Sequence, residues 1–126
     1  MKIFLVEDDV YYAEFIRGSL TGKGFQDIRI FSSAELCLDE IRKNNIPSLI
    51  IVDYYLPGMN GLELYSAIKK DHPAVQMIFL SSNTDANLVL DLVKKGIRKY
   101  VIKNDHVIAS LMALIQENDD LFIDLQ

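Results

Sequence analysis

The sequence has a single cysteine, Cys37, which excludes an internal disulfide and any CxxC metal or redox site. It has no apolar run approaching the roughly 20 residues that a membrane span needs. A signal peptide is not expected either, since Lys2 is followed only by the short apolar stretch "IFLV" before Glu7. Positive charge is in deficit: 13 Lys and Arg stand against 18 Asp and Glu, a net charge of −5. A nucleic-acid face needs a basic patch to neutralise phosphates, so direct nucleic-acid binding is not expected. Long linkers, repeats and low-complexity tracts are absent too. What remains is a chain of 126 residues, half of them hydrophobic and a quarter charged. That is one domain with room for a core, expected in the cytoplasm.

What the sequence does have is alternation. "KIFLV" reads as a buried strand, and a helix follows from about Asp9 with Ala13, Ile16 and Leu20 at helical spacing. "TGKGF" stops it. "DIRIFS" alternates like a strand near a sheet edge. Ser32 and Glu35 have the spacing of a capping box for the helix "AELCLDEIRKN". "SLIIV" is the third strand and "LELYSAIKKDH" the third helix. "VQMIFL" is the fourth strand, and Thr84 or Asp85 can cap "ANLVLDLVKK", which Gly96 ends. "KYVIK" is the fifth strand, and "HVIASLMALIQEN" the last helix, expected to end near Asn118-Asp119. Continuous apolar strands alternating with helices predict a parallel sheet covered on both faces. The expected fold is α/β, a doubly wound five-stranded sheet of order 2-1-3-4-5 with helices on both faces, flavodoxin-like. That order places the edge-like second strand outside.

The stretch "SLIIVDYYLPGMNG" raises a question, because a fully apolar strand ends in the carboxylate of Asp53. In doubly wound sheets the ligand crevice lies at the carboxyl ends of the strands. There the first strand ends in Glu7-Asp8-Asp9, the third in Asp53, the fourth in Ser81-Ser82 and the fifth in Lys103. Two carboxylates about 5 Å apart repel by roughly 3 kcal/mol at an effective dielectric near 20. A hard cation would relieve this, and oxygen ligands suit Mg²⁺. The Lys103 ammonium and Ser81 hydroxyl could bind phosphate oxygens. Asp53 could itself be a nucleophile in aspartyl-phosphate chemistry.

"IFLVEDD", "IIVDYYLPGMNG", "MIFLSS" and "KYVIK", in this order, resemble the receiver domain of two-component response regulators (the CheY-like family) along essentially the whole chain. The resemblance implies a phosphoacceptor domain at residues 1–120, with 121–126 an apolar tail or the start of a linker. Asp53 matches the phosphorylated aspartate. Asp8 matches a direct ligand of Mg²⁺ (or Mn²⁺), Glu7 a ligand through water, and the Tyr55 backbone carbonyl a third protein ligand. Asp9 is either a further ligand or simply the cap of the first helix. Ser81 matches the hydroxyl that follows the phosphoryl group, Tyr100 the aromatic switch and Lys103 the phosphate-binding lysine. The implied partners are a histidine kinase or phosphotransfer protein upstream, and an output domain or protein reached through helix 4, strand 5 and helix 5. Homodimerisation on phosphorylation is a further implied outcome. By the resemblance the chain is not an enzyme and promotes only its own phosphorylation and dephosphorylation.

The sequence also departs from the family. Asn104 follows the lysine where proline is common, so a trans peptide is expected there: without proline a cis bond costs about 2.5–4 kcal/mol. Ser82 stands where alanine is common, and Tyr55 and Asn83 occupy positions that tune dephosphorylation. Leu90 lies well off the stripe of Leu88, Val89, Leu92 and Val93 and is expected at the surface. Three rival readings fit the sequence less well. A metal-dependent phosphohydrolase wants a general acid two residues after the nucleophile, where Tyr55 stands. A flavin or nucleotide module wants a glycine- or hydroxyl-rich loop where "EDDVYY" stands. A receiver that no longer takes phosphate is opposed by the intact acidic set.

Overall fold

The computed structural model describes residues 1–82 and 86–124, the side chains of 86 and 117–124 excepted. Five strands and five helices alternate: β1 Lys2–Val6, α1 Val10–Gly22, β2 Asp27–Phe31, α2 Ala34–Arg42, β3 Leu49–Asp53, α3 Gly61–Asp71, β4 Gln76–Ser81, α4 Ala86–Lys94, β5 Tyr100–Ile102 and α5 Val107–Asp124. The strands form one parallel sheet in the order β2-β1-β3-β4-β5, with β2 at an edge as expected. None of the described helices is long and apolar enough to cross a membrane.

The apolar strands are explained by the pleat, which sends successive side chains to opposite faces. Phe4, Val6, Ile50, Val52, Met77 and Phe79 join a core with Cys37, Leu38 and Ile41 of α2, Leu64 and Ile68 of α3, and Leu88 and Leu92 of α4. Ile3, Leu5, Leu49, Ile51, Ile78 and Leu80 meet Ala13, Ile16 and Leu20 of α1 and Leu111 and Ile115 of α5. Both faces of β3 are therefore dry, and neither tolerates a polar residue until Asp53 at its end.

Several local expectations change. The cap of α2 is Ser33, whose hydroxyl accepts the Leu36 N–H at 3.2 Å, not Ser32. Glu35 is thereby released from a capping box, and its carboxylate accepts the Met59 N–H at 3.2 Å. A full capping box occurs instead at α3, between Asn60 and Glu63. Thr84 and Asp85 lie outside the described residues. Val93, assigned to the inner stripe of α4, is 60% exposed, while Leu90 is 53% exposed as expected. The α5 backbone continues past Asn118-Asp119 to Asp124.

Candidate functional site

Parallel strands end together, so the register decides what meets at the carboxyl edge. Val6 pairs with Val52 and Asp53 with Leu80, which puts Glu7 and Asp53 side by side, one residue beyond and at the end of adjacent strands. Ser81 pairs with Ile102, and the Lys103 N–H donates to the Ser81 carbonyl at 2.8 Å. Glu7, Asp53 and Ser81 are the buried polar or charged residues of the described chain, at 1%, 6% and 1% exposure.

The Lys103 ammonium donates to Glu7 Oε1 and, at 3.0 Å, to Asp53 Oδ2. It is the cation that lets two buried carboxylates coexist. Burial dominates at Glu7 and opposes ionisation; Lys103 pulls the other way and the Asp53 charge adds to burial, so the Glu7 carboxyl is pushed up to about 7. Burial alone would lower the Lys103 pKa, but its bonds to the two carboxylates outweigh burial and raise it. Glu7, Asp8 and Asp53 each offer one carboxylate oxygen, and the three lie within 4.8 Å of one another. Asp8 is exposed and makes no hydrogen bond or ion pair among the described residues.

Asp9 stands outside this group. Its carboxylate accepts the N–H groups of Tyr11 and Tyr12, both at 3.1 Å, and so caps α1. After Asp53 the chain turns sharply, and the Tyr55 N–H donates back to Asp53 Oδ1 at 3.1 Å. Gly61 opens α3 close under this turn. A Cβ on it would lie 2.9 Å from the Asp53 carbonyl oxygen and 3.1 Å from the Phe79 ring. Tyr100 is half-buried on the core that Leu88 and Leu92 enter. Ser82 is exposed, and Asn83 lies outside the described residues. The Lys103–Asn104 peptide is trans. Asn104 serves the turn differently from a proline: its side chain accepts the His106 N–H at 2.8 Å and leads into α5.

Two neighbours of the site were not read from the sequence. Glu35 ties α2 to the loop after Asp53, a contact across 24 residues that no local pattern announces. Tyr12 places its ring 4.7 Å from the Lys103 ammonium. Its position one turn before Ile16, on the inward side of α1, was the available signal.

The chain is similar to known proteins. The response regulator receiver domain family matches residues 3–116. The luminescence regulatory protein LuxO of Vibrio campbellii is 31% identical over 99 residues, 79% of this chain and 21% of that protein. The DNA-binding response regulator MtrA of Mycobacterium tuberculosis is 30% identical over 122 residues, 94% of this chain and 52% of that one. The chain thus spans between a fifth and about half of the length of these relatives. Among solved structures, a CheY-like receiver domain protein from Methanospirillum hungatei superposes with a TM-score of 0.82 at 22% identity, over 98% of this chain and 97% of that one, a likeness of fold. With the acidic edge, the lysine from β5 and a family match over nearly its whole length, the chain belongs to the receiver domains of two-component response regulators.

Proposed function

We propose that Asp53 accepts a phosphoryl group from a phosphohistidine of a histidine kinase or phosphotransfer protein. The observation that carries this is the pairing of a buried, strand-terminal Asp53 with Lys103 inside a cluster of carboxylates. An Asp53 oxygen attacks phosphorus; the P–N bond of the donor breaks, and its electron pair stays on the imidazole nitrogen. Lys103, already at Asp53, binds the phosphoryl oxygens as they arrive, which is catalysis by position and charge. The Ser81 hydroxyl follows the phosphoryl group.

The donor set fits Mg²⁺ or Mn²⁺: three carboxylate oxygens, one each from Glu7, Asp8 and Asp53, lie within 4.8 Å of one another. Asp8, Asp53 and the Tyr55 carbonyl would hold the ion, with Glu7 acting through water. Bound there, the ion would neutralise charge on the transferring group.

Movement at Ser81 is transmitted to Tyr100, which lies on β5 against the core that α4 shares. The surface of α4, β5 and α5 then shifts population between two states, and a partner or output domain reads it. A phosphohydrolase reading lacks its general acid, because Tyr55 occupies that position.

The test is incubation of the chain with acetyl phosphate and Mg²⁺, read by intact mass and by amide NMR. One added phosphoryl group that requires Mg²⁺, with shifts at Ser81, Tyr100 and Leu90, is expected. No mass gain, or a gain without shifts on α4 and β5, contradicts the reading.

A further inference from the structure

Tyr12 places its ring against Lys103, and the phosphoryl-transfer reading leaves it without a task. The backbone N–H of Tyr12 is fixed by the Asp9 cap at 3.1 Å, in the first turn of α1. The ring is half-buried against the core between α1 and the sheet. The Lys103 ammonium lies 4.7 Å from the ring centroid, inside the range of cation–π attraction. The phenol oxygen is buried and has no hydrogen-bond partner among the described residues. An orphaned buried hydroxyl is unfavourable. The hydroxyl therefore does not account for an aromatic residue here, whereas the ring face against the ammonium does.

The two carboxylates alone do not fix a lysine. An ammonium is a point charge on a flexible stem, and several rotamers can satisfy the same oxygens. Phosphorylation also moves the charge of Asp53 outward onto phosphoryl oxygens, while the ring keeps its place and its polarity. We propose that Tyr12 is the positioning residue for Lys103: its ring face holds the ammonium at Asp53 before transfer and steers it to the phosphoryl group after. This rests on the reading of Asp53 as phosphoacceptor.

The test uses the full chain with acetyl phosphate and Mg²⁺, and follows the phosphorylation rate by intact mass. Tyr12→Leu, with Tyr12→Met as a second ring-free variant, is expected to be slower by about three- to thirty-fold, the range of one partly desolvated cation–π contact. Tyr12→Phe keeps the ring and is expected within about twofold of the parent. It is also expected to melt no lower, since the orphaned hydroxyl is gone. In a Lys103→Met chain, Tyr12→Leu is expected to add little further loss, because the two residues act as one unit. The ε-methylene protons of Lys103 are expected upfield by ring current in the parent and in Tyr12→Phe, and at ordinary positions in the ring-free variants. Tyr12→Phe as slow as Tyr12→Leu, or an equal loss in the Lys103→Met chain, overturns the proposal. So does an unshifted Lys103 in the parent, a reading that needs no donor. A parent that gains no phosphoryl group overturns the phosphoacceptor reading instead.

Discussion

Glu7 shows how burial converts a residue type into a function. A carboxyl buried beside Asp53 is raised from 4.5 to about 7. The folded protein therefore holds a proton there that the unfolded chain has already lost. Its stabilising contribution is complete below about pH 4.5 and disappears as the pH rises through about 7. A cation at the site competes with that proton. Without Mg²⁺ the melting temperature is expected to fall between about pH 4.5 and pH 7, and with Mg²⁺ to fall less; Glu7→Gln should flatten the metal-free profile. A Glu7→Gln chain with the parent's profile would assign the dependence to another group. Repulsion between the carboxylates, taken alone, would make Asp53→Asn stabilising in the metal-free chain. The structure redirects this to Asp8→Asn. Asp53 has Lys103 at 3.0 Å, whose attraction offsets the repulsion, while Asp8 has the repulsion without a partner. Asp8→Asn is expected to raise the metal-free melting temperature and to weaken Mg²⁺ binding by tenfold or so, each charge removed near a cation costing about 1–2 kcal/mol. A calorimetric titration together with a thermal melt reads both. An unchanged Mg²⁺ affinity would remove Asp8 from the ligand set.

The elements are placed by packing that the sequence reveals unevenly. Strand β3 was legible because four apolar residues in a row, Leu49 to Val52, leave no polar alternative before Asp53. Its partner α3 was legible too, but not how close it comes. Only a glycine at 61 lets the helix start against the Asp53 carbonyl. Gly61→Ala must push backbone from backbone and is expected to destabilise the domain by about 1–3 kcal/mol. It should also slow phosphorylation, because the displaced turn carries Asp53. Denaturant unfolding and the acetyl phosphate rate measure the two effects, and an unaltered chain on both counts would mean that α3 is free to shift. On α4 the helical period separated Leu88 and Leu92 from Leu90 correctly and misplaced Val93. A short helix against a twisted sheet buries a narrower stripe than four apolar residues suggest. Leu90 and Val93, three residues apart, are neighbours on a helix surface and make one apolar patch. Leu90→Ala is expected to leave the fold intact and to weaken partner binding or self-association after phosphorylation by about 1–2 kcal/mol. Sedimentation and a binding titration, unphosphorylated and phosphorylated, test this. No change in either removes α4 from the reading surface.

At the scale of the molecule, the fold was legible because α/β alternation with dry strands has few solutions, and because ligand-bearing residues collect at one edge of such a sheet. Glu7, Asp53 and Lys103 came from strand ends and needed no side-chain knowledge. The identity of Asp9 as a cap, the reach of Glu35 to Met59 and the ring of Tyr12 over Lys103 did need it. Each depends on a helix being docked at a particular height above the sheet, which pattern and spacing do not encode. The proposed signalling role turns on one covalent bond at one residue. The most direct measurement is site-resolved mass spectrometry of the parent and of Asp53→Asn after acetyl phosphate and Mg²⁺. One phosphoryl group is expected on the parent, carried by the peptide containing Asp53, and none on Asp53→Asn. A phosphoryl group that survives Asp53→Asn, or that maps to another residue of the parent, would contradict it.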